Sequence, residues 1–139
     1  MKKLSIAGLL LFLLTACNQS PDNSNSNTEM VAVNEAKVNV YYFYGRQRCV
    51  TCVTLQEVAK DAILSNFSDN RDVAFLEIDF SKRENGALAD KYEIVFSSLV
   101  IASGESHKDI TDEAFAMVLS NPEGLKSLIV SETTQFLNL

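Results

Sequence analysis

The side chains best suited to covalent chemistry are two cysteines in the run Arg48-Cys49-Val50-Thr51-Cys52. A spacing of three puts both sulfurs on one side of a helical turn, close enough to bridge. Disulfide exchange needs a thiolate as nucleophile and a second thiol to resolve the mixed disulfide. The pair stands where an apolar strand-like run gives way to a helical pattern. Unpaired amides at that helix N-terminus would stabilise a thiolate on Cys49 and lower its pKa. Arg46 and Arg48 add positive charge beside it, or are simply solvated loop charges. Cys52 is placed to resolve. Two other uses stay open: a bridge that only staples the turn, and soft ligation of Cu(I).

Copper would need a further ligand, and His107, the one histidine, falls near a turn away from the pair. A surface histidine is the simpler reading. A Cys/His zinc site would consume all three cysteines and the histidine, so no metal and no cofactor are expected. Glu77 and Asp79 share a face of one strand and read as strand-end acids rather than an acid–base pair. Tyr41, Tyr42 and Tyr44 read as packing, with Tyr44 expected to come nearest the cysteines. Twelve basic against eighteen acidic residues, net charge −6, argue against nucleic acid and against electrostatic docking on anionic lipid.

The elements that must hold the pair follow from periodicity. Val38-Asn39-Val40-Tyr41-Tyr42-Phe43-Tyr44 is a buried strand ending at Gly45. Leu55, Val58, Ala59, Ala62, Ile63 and Phe67 mark one face of a helix from about Cys49 to Phe67. Residues 73–80 form a second strand, and Ala87, Leu88 and Tyr92 suggest a short helix. Residues 98–102 and 107–110 form a hairpin around Ser103-Gly104-Glu105-Ser106. Thr111 is expected to cap a helix with Phe115, Val118 and Leu119 inward. Asn121-Pro122 restarts a helix with Leu125, Leu128, Ile129 and Phe136 inward. This β-α-β-α-β-β-α order implies a βαβ unit with a parallel component and an antiparallel edge.

Ahead of the domain, Met1-Lys2-Lys3 and an apolar stretch from Leu4 to Ala16 read as a secretory signal, too short to span a bilayer that needs about 20 helical residues. Leu14-Thr15-Ala16-Cys17 resembles the bacterial lipobox. That resemblance implies cleavage of residues 1–16, lipidation of Cys17 and a membrane anchor; a plain signal with a chance cysteine is the alternative. Asn18 after Cys17 leans towards the outer membrane in a Gram-negative source. Without Lys2 and Lys3 the chain keeps ten basic and eighteen acidic residues, a charge of −8. Residues 17–36 are the lipidated cysteine and an Asn/Ser-rich tether.

The strand VNVYYFYG, then RCVTC opening a helix, then VAFLEIDF, a short helix and SSLVIAS resemble the thioredoxin fold over about 100 of 139 residues. The whole chain is similar to bacterial lipoproteins with thioredoxin-like domains. The resemblance implies an α/β fold, a three-layer α/β/α sandwich on a mixed four-stranded sheet, for residues 37–139. It implies an exposed attacking Cys49, a resolving Cys52, and partners among exported proteins with cysteines or a redox partner protein. The departures are specific. Val50-Thr51 replace Gly-Pro, and Arg48 replaces Trp. Counting back six residues puts Phe43 where thioredoxins bury an acid, and Phe75 stands for the assisting lysine. Ser97 takes the place of the cis-proline; a cis bond there costs ~2.5–4 kcal/mol, so a trans bond is expected. The function expected is membrane-anchored thiol–disulfide exchange in the cell envelope, the alternative a redox-inactive binding module with a structural disulfide.

Overall fold

The structure, a computed structural model, describes residues 36–139; the signal segment, Cys17 and the tether up to residue 35 lie outside the described residues. Val38–Tyr44 forms β1, buried along nearly its whole length, as its unbroken run of β-branched and aromatic residues requires. A strand so apolar on both faces needs a neighbour on each edge and a layer on each side. It has them. β2 (Val73–Asp79) pairs with it in parallel, Val38 opposite Val73 and Tyr44 opposite Asp79. β3 (Ser98–Ser103) pairs antiparallel on its other edge, and β4 (Ser106–Asp109) closes the order β2-β1-β3-β4. Gly104, at φ +58°, makes the tight turn between the last two strands, a conformation that a side chain would strain.

Alternation along the strands divides the core between two helical layers. Val40, Tyr42, Leu99 and Ile101 face α1 (Val50–Phe67), α3 (Thr111–Met117) and α4 (Pro122–Leu137). Tyr41, Phe43, Leu76, Ile78 and Val100 face α2 (Gly86–Lys91), which follows a short 3-10 turn at Arg83–Asn85. The expected three-layer α/β/α sandwich with a mixed four-stranded sheet is present. In α1, Leu55, Ala59, Ala62 and Ile63 are buried, the stripe its spacing predicts.

Three local expectations are corrected. Thr111 does not cap α3: it is the helix's first residue, and its hydroxyl accepts the Leu99 N–H at 2.9 Å, extending the pairing of β3 beyond β4. Asp109 instead accepts the Thr111 N–H, at 2.8 Å. Leu119 is exposed, because α3 ends at Met117 and the chain has left the helical face by then. Ala87 is exposed as well, and Ala89 takes the inward position on α2. Asn121 does cap α4, its side chain accepting the Gly124 N–H at 3.0 Å with Pro122 next in line.

Candidate active site

The site is built where β1 ends. Gly45 carries the chain out of the strand against the Phe80 ring; a Cβ at this position would lie 2.8 Å from Phe80 Cζ. After the exposed Arg46-Gln47-Arg48 turn, Cys49 adopts an extended conformation, φ −78° and ψ 161°, and becomes the N-cap of α1. Its Sγ accepts the Cys52 N–H at 3.1 Å, in the position a Ser or Asp oxygen takes at other helices. Cys49 and Cys52 are bridged, with Cα atoms 5.1 Å apart. Cys49 is exposed and Cys52 half-buried, so Cys49 is the more accessible of the two.

A sulfur that caps a helix is one whose negative form the helix favours, through the amide it already engages and the dipole behind it. The arginines add to that field. The Arg48 guanidinium lies over the Tyr44 ring, 4.7 Å from its centroid, and neither arginine is in an ion pair among the described residues. Tyr44 thus supports Arg48; the tyrosine that reaches the cysteines is Tyr42. Its side chain is fully buried, and its hydroxyl donates to the Cys52 carbonyl at 2.6 Å. Burial pushes the Tyr42 phenol's pKa up, against the opposing pull of the Ser97 hydroxyl and the Arg48 charge. Counting residues therefore chooses the wrong neighbour: Phe43 points into the α2 layer, across the sheet from the pair. Phe75 is half-buried and packs against the core on the α1 side.

Ser97 is buried beside this group, and no cis peptide bond occurs among the described residues, so the bond before Ser97 is trans as expected. A groove of about 440 Å³ runs past the pair, lined among others by Cys52, Arg46, Ser97, Phe80, Phe96 and Phe115. Phe96 of this lining is exposed, as are its chain neighbour Val95 and, next to Cys49 in the chain, Val50, by 82%. Sequence reading missed this apolar rim; the visible signal was a Val and a Phe in the loop just before β3, where periodicity assigns no inward face.

The remaining candidates have other employment. Glu77 accepts hydrogen bonds from Gln56 and, at 3.4 Å, from Lys60 on α1. Asp79 accepts both the Ser81 hydroxyl and its amide, which with Lys82 and Arg46 holds its carboxyl below its ordinary pKa. His107 lies on β4 with its ring 5.1 Å from that of Tyr92, opposite Ala102 of the α2 layer and across the sheet from α1. No group of three His, Cys, Asp or Glu among the described residues is arranged to hold a metal ion, and no described helix is long and apolar enough to cross a membrane.

No protein-family model and no curated protein matches the sequence. Among solved structures the chain is similar to human ERp44 in its zinc-bound form, with 18% identity and a TM-score of 0.55. That match covers 78% of this chain and 30% of the other. A second, "form II" of human ERp44, has 19% identity and a TM-score of 0.54 over 78% and 29% of the two chains. The present chain thus spans under a third of the ERp44 chains it matches. At such identity the likeness concerns architecture: a thioredoxin-like fold, carrying a bridged Cys-x-x-Cys pair at the start of its first helix.

Proposed function

We propose that the protein is a thiol–disulfide oxidoreductase, held to a bacterial cell envelope by lipid on Cys17 and acting through Cys49 and Cys52. One observation carries the reading: the exposed Cys49 sulfur is the N-cap acceptor of α1 and is bridged to its neighbour one turn on. In the oxidising direction a partner thiolate attacks Cys49 Sγ, the Cys49–Cys52 bond breaks, and Cys52 leaves as a thiolate that takes up a proton. A second partner thiolate then attacks the partner sulfur of the mixed disulfide, forming the partner's disulfide and releasing Cys49 as a thiolate. The reverse sequence reduces a partner. Partners are exported proteins with cysteines or a redox partner protein, delivered to a domain of residues 37–139 floating on the tether 17–36. An outer-membrane, periplasm-facing anchor is favoured by Asn18 if the source is Gram-negative.

A second reading has its own support. Tyr42 and a trans Ser97 stand where an active thioredoxin-like site carries a carboxylate and a cis-proline, which suits a binding module with a structural disulfide. One experiment separates the two. In a bacterium expressing the full chain, Cys52→Ser should accumulate adducts with exported proteins that thiol reductant releases. Cys49→Ser should accumulate none. The adducts should fractionate with membranes, and move to the soluble fraction when Cys17→Ser is added. Equal partner capture by both single variants, insensitive to reductant, would establish the binding module instead.

A further inference from the structure

We propose that Tyr42 is the positioning residue of this redox site: its buried hydroxyl holds Cys52 by the backbone and sets the rate at which Cys52 resolves a mixed disulfide. The inference rests on the oxidoreductase reading and deepens it. Packing alone would be served at this position by phenylalanine, since the ring sits in the core between β1 and α1. The hydroxyl donates to the Cys52 carbonyl, 2.6 Å away and ten residues on in the chain, with the Ser97 hydroxyl also acting on it. It ties β1 to the first turn of α1 at the cysteine that would resolve the mixed disulfide.

The groups around the phenol define what it can do. Ser97 faces it from the loop before β3, Arg48 acts on it from the turn before α1, and Tyr44 stacks beside it with ring centroids 6.5 Å apart. No carboxylate lines the groove beside Cys52. Burial keeps the phenol protonated at neutral pH, so it is a donor and not a base. Resolution then runs in a stated order. The Cys49 thiolate attacks a partner disulfide, forming a mixed disulfide and releasing one partner thiolate. Cys52 gives its proton to water or hydroxide, attacks Cys49 Sγ, restores the bridge and releases the second partner thiolate. With no carboxylate among the described residues that line this groove, the second step depends on the Cys52 thiolate fraction and on how well Cys52 is held. Mixed disulfides on Cys49 are accordingly long-lived, and longest at low pH.

The test uses the reduced full chain in detergent with glutathione disulfide, measuring the attack of Cys49 and the later release of the second glutathione separately. In the wild type, resolution should accelerate about tenfold per pH unit below the Cys52 pKa. Tyr42→Phe should resolve about fivefold more slowly at each pH, the size of effect one buried hydrogen bond supports, with the first attack unchanged. A merely structural hydroxyl would lower the unfolding midpoint and leave the ratio of the two rates alone; that result overturns the proposal. Should Tyr42→Phe fail to fold, the wild-type tyrosine absorbance titration serves, and it should differ between bridged and reduced chains. Identical titrations overturn the proposal too. A wild type whose Cys49 never attacks glutathione disulfide sinks the oxidoreductase reading, while the titration still decides whether Tyr42 is tied to the pair.

Discussion

Cys49 serves two purposes with one atom: its sulfur closes the first turn of α1 and is bridged to Cys52, which lines an apolar groove. Arg46 in that lining and Arg48 in the turn before Cys49 bring positive charge to this end of a chain of net charge −6. Exposed charges of this kind alter encounter rates more than affinities. Reversing both, Arg46→Glu with Arg48→Glu, should slow exchange with the anionic glutathione disulfide about fivefold at low ionic strength, a gap that 0.5 M salt (a chosen assay condition, about a 4 Å screening length) should nearly close. Equal rates for variant and wild type at low salt would leave the arginines as solvated loop charges. At this scale the bridged pair at the start of α1 was legible, because spacing and helix-start position are sequence properties. Which strand residue lies beneath it was not. Side chains alternate faces with period two, so a difference of one residue in the turn before α1 exchanges Phe43 for Tyr42 and puts the wrong ring under Cys52.

Strands and helices carrying a strong period, β1, α1 and α4 above all, lie within a residue or so of where the pattern puts them. Patterns fail where a side chain has a tertiary use. Thr111 looks like a cap, yet its hydroxyl is taken by the Leu99 amide, a partner twelve residues back that no local rule can see. The exit from α2 is a similar case. Glu93 has φ +55°, a left-handed conformation that ends the helix as the Ile94 N–H reaches back to Ala89 O at 2.8 Å. A side chain with a Cβ is strained there, and glycine is not. Glu93→Gly should therefore stabilise the domain by about 0.5–1 kcal/mol, net of glycine's larger unfolded-state entropy, read as an increased urea midpoint. A lower midpoint would mean that the Glu93 side chain makes a contribution its exposure does not suggest.

Across the molecule, one apolar central strand joins two unequal cores, and the pair sits on the α1 side where the larger one meets solvent. The smaller core contains Tyr41, whose phenol is pushed up to about 12, first by burial and then by Tyr92. A phenol harder to ionise when folded than when unfolded supports the fold fully below its ordinary value of 10.0 and loses that support as pH rises through about 12. Stability should accordingly fall over that range. Tyr41→Phe should flatten the fall, as thermal midpoints at successive alkaline pH values will show; an unchanged slope would assign the alkaline limb to another group. The parallel βαβ unit, the antiparallel hairpin edge and both covering layers were readable from element order and turn residues, but the strand order was not: the apolar run of β2 reads as interior, yet β2 is an edge strand in the order β2-β1-β3-β4. The apolar rim of Val50, Val95 and Phe96 was not, because loop residues have no period to betray which side they show.

The most direct test of the central claim is the reduction potential of the Cys49–Cys52 bridge in the full chain, by equilibration with glutathione and dithiothreitol buffers. Reversible exchange with a value between about −120 and −270 mV is the expected result, the upper part of that range marking a disulfide donor and the lower part a reductant. A bridge below about −300 mV that added thiols leave intact would contradict it, and would make the pair a staple for the first turn of α1.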